Sequence, residues 1–284
     1  MRKKIKNIII EEFSNLIHLI DKDFKKLYNK KAENFLLNGL ETSITANMAF
    51  VSSFESKYGN AIETCAKRIT KLRYGNENVP DIINPKAIPH NLTLNNNTQY
   101  IITNVDINNG DLDGEISRFR SNNEAEGRGR KRKESGVTKS SILEVLIPLN
   151  QKYTSNHAHA KPVDLAFFDG KNWNIMELKA GGNLDSSNAP SNVEKLLKIY
   201  TCLGLENTKM YFATCYNKNG EGKTWTGAVK KHLCFPEMFL IGSELWKKIL
   251  PQNITFEEFT EIYRESLSEI DINKKVRELM DSVS

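Results

Sequence analysis

Cysteine is scarce and scattered in this chain: Cys65, Cys202, Cys215 and Cys234 are the four in 284 residues. No two have the close spacing of a zinc site, and the set does not read as the framework of a secreted, disulfide-stapled domain. A reducing, cytoplasmic setting is the simplest expectation. Long apolar runs are missing as well. Ile8-Ile9-Ile10 follows a basic start, Met1-Arg2-Lys3-Lys4-Ile5-Lys6, and is stopped by Glu11-Glu12. That is too short for a signal peptide or a membrane span. The chain also lacks a Gly-rich phosphate loop, an internal repeat, a zinc ribbon and a nucleophilic triad. Charge of one sign is barely in excess: 40 basic against 35 acidic residues give +5. That permits a nucleic-acid partner without requiring one. With 39% apolar and 26% charged residues, the chain can bury a core and stay in water.

Helical spacing marks both ends. Ile9, Phe13, Leu16, Ile17 and Ile20 make residues 7–39 read as helical; Met48, Phe50, Phe54, Ile62, Ala66 and Ile69 do the same for 41–73. Turn formers dominate residues 74–97, an irregular surface stretch. Residues 99–107 are strand-like, and 116–119 suggest a second strand. Residues 124–136 carry Arg128, Arg130, Lys131, Arg132 and Lys133 between glycines, a mobile basic loop. A short helix over 140–150 follows. Further on, Ser191 and Glu194 have capping-box spacing after Pro190. Val193, Leu196, Leu197 and Tyr200 form one apolar face, and Gly204 is the stop. Residues 209–215 are apolar on both faces, as in a central strand. Residues 235–241 read as a strand, 243–250 as a helix. Thr255 with Glu258 opens a C-terminal helix, and Val276, Leu279, Met280 and Val283 define a last amphipathic one. The order strand, strand, helix, strand fits an α/β fold: a mixed central β-sheet flanked by helices, with helical additions at both ends. The divisions expected are a helical region with its irregular loop at 1–97, a core at 98–250 and helices at 251–284, packed as one domain.

The chemistry concentrates in two short apolar runs, 162–168 and 172–179, separated by the turn signal Asp169-Gly170. Alternation puts Trp173, Ile175, Glu177 and Lys179 on one face of the second run. A two-residue loop pairs Asp164 with Ile175; a four-residue loop sets Asp164 opposite Glu177. Both leave an aspartate, a glutamate and a lysine sharing a face, whereas a three-residue loop would turn Asp164 away. Such a cluster on an apolar sheet makes sense if it holds a divalent cation beside a phosphate. A hard cation prefers oxygen ligands, activates water and relieves charge at phosphorus.

Pro162, Asp164, Glu177 and Lys179, set in strand, turn, strand, helix and strand, resemble the PD-(D/E)XK nuclease superfamily and its restriction-endonuclease-like core. Within it they resemble the type II restriction endonucleases, and the phrasing over residues 159–195 looks closest to TdeIII-like enzymes. The resemblance implies Mg²⁺-dependent hydrolysis of phosphodiester bonds in double-stranded DNA at a short specific site. It implies Asp164, Glu177 and the carbonyl of Leu178 as metal ligands, with Lys179 positioning the attacking water. It also implies a homodimer matching a two-fold site, and a cognate DNA methyltransferase encoded nearby. Many relatives add a glutamate from an upstream helix: Glu63 is the first choice, then Glu55, with Glu144 competing. A repair, recombination or phage-defence nuclease of the same fold, or a non-catalytic DNA-binding module, are the alternatives. The intact Asp164, Glu177 and Lys179 argue against the last.

For DNA, Arg128, Arg130, Lys131, Arg132 and Lys133 are expected to grip phosphates. Arg118 and Arg120 are candidates for guanine edges, and Lys161 for backbone beside the site. His157 and His159 lack a third ligand for zinc and read as exposed or DNA-facing. Asp185 reads as a turn cap or a DNA contact. Pro80-Asp81 is a second Pro-Asp pair, but in a turn-rich stretch it reads as a turn aspartate.

Overall fold

The structure, a computed structural model, describes residues 1–84, 98–127, 133–181, 184 and 186–283. The chain divides into two units, Met1–Ile69 with Ile249–Ser284, and Thr70–Lys248. The first therefore combines the N-terminal and C-terminal helical additions. Helix α1 (Arg2–Ala32) buries Ile5, Ile9, Phe13, Leu16, Ile20 and Phe24, at the three- and four-residue spacing of one helix face. It packs on α7 (Phe256–Glu269). Phe13 meets Tyr58 and Tyr263 edge-on, and Arg2–Glu265 and Lys6–Glu269 pair along the rim. As read from the sequence, Thr255 caps α7, its hydroxyl accepting from the N–H of Glu258. Helix α2 (Thr42–Tyr74) follows α1, and α8 (Ile272–Asp281) closes the chain. Ile44, Met48 and Val51 of α2, with Phe35, Leu36 and Leu40 before it, are exposed. No helix among the described residues is long and apolar enough to cross a membrane.

The second unit is α/β. One sheet has the order β1 (Ile82–Ile83), β2 (Gln99–Val105), β3 (Thr154–Val163); the other runs β4 (Leu165–Phe168), β5 (Trp173–Lys179), β6 (Thr208–Thr214), β7 (Phe239–Ile241). β2 and β3 are antiparallel, as are β4 and β5; β5, β6 and β7 are parallel. Parallel neighbours need a crossover, and α5 (Asn188–Leu203) supplies it between β5 and β6. Its apolar face (Val193, Leu196, Leu197, Tyr200) is buried in the core with Ile175 and Phe212. Gly204 ends it in the left-handed conformation, φ 61. Helices α3 (Gly110–Asn122) and α4 (Lys139–Lys152) pack on α5; α6 (Ser243–Ile249) follows β7.

β3 and β4 are one run of chain interrupted at Asp164. Val163 still pairs with Gln99 in the first sheet, and Leu165 pairs with Met176 in the second. The buried Gln99 side chain joins the sheets: its amide accepts from the N–H of Ala166 and donates to the carbonyl of Ala166, both at 2.9 Å. It thus acts as an extra backbone unit beside β4.

Three local readings are corrected. Residues 116–119 are not a strand but part of α3. Asn109 caps that helix through the N–H groups of Asp111 and Leu112, and Leu112, Ile116 and Phe119 keep helical spacing into the core. The strand read at 235–241 shrinks to Phe239–Ile241, because residues 235–238 form turns, with Met238 N–H on the Cys234 carbonyl. Helix α5 begins after Ser187 rather than at Ser191. The Ser191 hydroxyl bonds the Asn188 carbonyl inside the helix, and Glu194 pairs with Arg120 instead of capping.

Candidate active site

The hairpin register decides which residues meet. Phe168 pairs with Trp173 and Leu165 with Met176, so the connecting loop is the four residues 169–172. The Asp169 carboxylate sets that length by accepting from the N–H groups of Lys171 and Asn172 and from the Asn174 amide. Continuing the register by one position puts Asp164 opposite Glu177. The pairing has stopped there, so the Asp164 side chain takes the place of the missing strand: Oδ2 accepts the N–H of Leu178 at 3.0 Å.

Glu177 is 1% exposed. Lys179, two residues on and on the same face, donates to its Oε1 at 2.7 Å. A fourth group completes the cluster. Lys195 of α5 reaches Asp164 Oδ1 at 3.0 Å and Glu177 Oε2 at 2.7 Å. The first is a hydrogen bond. The second is an ion pair by distance but misaligned as a hydrogen bond, and among the described residues Oε2 has no other partner. Burial and the charge of Asp164 push the Glu177 carboxyl above its ordinary range; the two lysines pull the other way without fully offsetting this. Burial works against the charge of Lys195, but Asp164 and Glu177 outweigh it and hold its pKa up.

Lys195 was not found by sequence reasoning. It lies 31 residues from Asp164, and only the crossover helix brings it in. The usable signal was its place two turns into the helix that follows Lys179. The cluster sits at the C-terminal end of β5, where parallel strands of open α/β sheets present their ligand sites. Just beyond it, a side chain at Gly181 would collide with the Tyr216 ring.

Two carboxylates with a buried, unbonded oxygen are a donor set suited to a hard divalent cation. Among the described residues no group of three or more His, Cys, Asp or Glu converges on a metal position. Glu63 and Glu55 lie on α2, in the first unit. Glu144 is on α4, exposed, with no bond to the cluster among the described residues.

The remaining candidates separate. Arg118 is exposed on α3. Arg120 is 8% exposed, paired with Glu124 and with Glu194 at 2.8 Å, and its guanidinium is 3.1 Å from His232. That is an internal network, not a group presented to a base edge. Lys161, on β3, is half-buried. Lys133 is exposed and paired with Glu126. Arg128, Arg130, Lys131, Arg132 and Asp185 lie outside the described residues. His157 is exposed and His159 half-buried on β3. Asp81 pairs with Lys71 at 3.2 Å, in keeping with a turn aspartate.

The Arg120 network carries a pH prediction. Burial holds His232 down to about 4, outweighing the attraction of Glu124. The unfolded chain takes up this proton near pH 6.5 and the folded chain does not until about pH 4, so stability falls as pH drops through that window. The loss is on the order of 2–3 kcal/mol by pH 4.5. Denaturant titration at pH 7 and 4.5 should show His232→Gln losing much less than the wild type; equal losses would place the acid sensitivity elsewhere.

One family model, described as type II restriction endonuclease, HinfI, matches residues 1–266. The finer TdeIII-like likeness has no counterpart in it. No curated protein and no solved structure matches the chain.

Proposed function

The chain belongs to the HinfI family of type II restriction endonucleases, and on that footing we propose that Asp164, Glu177 and Lys179 are its catalytic centre, working with Mg²⁺ on a short specific site. The protein is a type II site-specific deoxyribonuclease and its substrate is double-stranded DNA. The observation that carries the assignment of the centre is the meeting of Asp164 and Glu177 where β3 breaks into β4.

Asp164 and Glu177 would hold the cation, together with the carbonyl of Leu178. In a strand the N–H and C=O of one residue face the same edge. The Leu178 N–H faces Asp164, so its carbonyl shares that edge. A bound divalent cation supplies Lewis acidity toward the scissile phosphate and an acidified water. Lys179, held by Glu177, is placed to orient the water and to stabilise the hydroxide character it develops. Lys161, Arg118 and the run Arg128, Arg130, Lys131, Arg132 and Lys133 are proposed DNA contacts. Arg120 is set aside because its guanidinium is held by Glu124 and Glu194. Glu63 is kept as the upstream glutamate. A homodimer on a two-fold site, a cognate methyltransferase encoded nearby and a cytoplasmic location complete the proposal.

Incubation with unmethylated phage DNA, with Mg²⁺ or with EDTA, is the first test. Discrete fragments appearing with Mg²⁺ and vanishing with EDTA are expected. A smear would replace the site-specific reading with a general nuclease. Equal cleavage in EDTA would remove the metal from the proposal.

A further inference from the structure

Lys195 stands out because one ammonium spans both carboxylates. Asp164 Oδ1 and Glu177 Oε2 lie 3.0 and 2.7 Å from its Nζ. Lys179 takes Glu177 Oε1 and the Leu178 N–H takes Asp164 Oδ2. All four carboxylate oxygens therefore face a positive charge or an N–H, and among the described residues Lys195 alone bridges the two acids. A cation shared by Asp164 and Glu177 must occupy that same bridging position. We infer that Lys195 is a built-in counter-ion standing in the divalent cation's place, which the cation must displace, and which then turns to the DNA phosphate. This rests on the proposed reading of Asp164 and Glu177 as metal ligands.

Charge and reach both support the exchange. Two acids forced together repel strongly at low dielectric. One ammonium relieves part of that repulsion, and a doubly charged ion relieves more. The lysine stem is flexible, and the Lys195 side chain is 36% exposed, so it can swing outward without unfolding α5. Among the described residues, neighbouring carboxylates offer it no second home. Asp113 is held by Lys198, and Glu194 by Arg120. Lys161, half-buried, is close enough to feel the charges of both Lys195 and Lys198. A displaced Lys195 therefore joins a cationic rim whose unsatisfied partner is an anion, and a phosphodiester is the anion this enzyme meets.

The first test uses Mn²⁺ alone, with the full chain and no DNA, read by electron paramagnetic resonance. Lys195→Gln is expected to bind Mn²⁺ about ten-fold more tightly than the wild type, since a competing cation is gone, while its cleavage rate falls by about 10²-fold or more. Unchanged or weaker Mn²⁺ binding in Lys195→Gln, with binding lost in Asp164→Asn, would overturn the role of Lys195 and leave the metal ligands standing. Mn²⁺ binding undiminished in Asp164→Asn would instead overturn the reading of the site on which the inference rests. A second test needs no variant. Mn²⁺ should raise the acetylation of Lys195 in the wild type, measured by peptide mass spectrometry against Lys198, whose pair with Asp113 should be unaffected. No rise at Lys195 relative to Lys198 contradicts displacement.

Discussion

Replacing Asp164 with asparagine is expected to lower cleavage by about 10⁴-fold or more, or ~5 kcal/mol of transition-state stabilisation, while DNA binding persists. Asparagine is a better probe than alanine. Alanine would leave the Leu178 N–H without the acceptor that Asp164 Oδ2 provides, at a cost of about 1–3 kcal/mol for a buried donor. Asparagine keeps an acceptor oxygen for the Leu178 N–H, removes the charge, and puts an amide NH2 in place of the oxygen that accepts from Lys195. The cluster of two acids and two ammoniums then passes from neutral to a net positive charge. That repels a divalent ion and, if anything, favours a phosphate. The two readouts should therefore part: cleavage lost, gel-shift affinity retained or increased, melting temperature close to the wild type. Cleavage within about ten-fold of the wild type, with the fold intact, would remove Asp164 from the metal site.

The sequence carried the pairing of Asp164 with Glu177 as one of two permitted registers. What selected the four-residue loop was the Asp169 carboxylate folding back on Lys171 and Asn172, a side-chain effect that turn statistics at Asp169-Gly170 do not contain. The break between β3 and β4 was not legible at all. Residues 154–161 show no clear alternation, and β3 is defined by its partner β2 rather than by its own pattern, while the Gln99 side chain meets Ala166 of β4 beyond the break. Residues 116–119 misled in the opposite way: four residues are too few to tell a period of two from 3.6. Only the run from Asn109, with its cap and the spacing Leu112, Ile116, Phe119, reveals the helix. Ser191 and Glu194 match the capping-box spacing by coincidence, because Glu194 has a better partner in Arg120 than a backbone N–H. Lys195 lies beyond sequence reading for a general reason. A helix face states its period but not which of its polar residues the crossover will deliver to the strand ends.

Lys179→Met is expected to reduce single-turnover cleavage by about 10²–10³-fold, ~3–4 kcal/mol, without weakening metal binding. Methionine preserves the apolar stem and removes the ammonium. That ammonium lies 2.7 Å from Glu177 Oε1, so in the metal-free protein it offsets the carboxylate and competes with an incoming cation. Its removal should leave Mn²⁺ affinity equal or higher, whereas Glu177→Gln should lose affinity and turnover together. The contrast separates a residue that holds the cation from one that acts on the water beside it. Lys195 does not replace Lys179 in the variant, because it reaches the site from α5 rather than along β5: without metal it lies between Asp164 and the other oxygen of Glu177, and once displaced it faces the DNA phosphate. Arginine at position 179 is not a rescue: its planar fork would demand two acceptors where Glu177 Oε1 offers one. If Lys179→Met instead lost Mn²⁺ as completely as Glu177→Gln, the lysine would be organising the carboxylates, and the orientation of the attacking water would have to be assigned to another group.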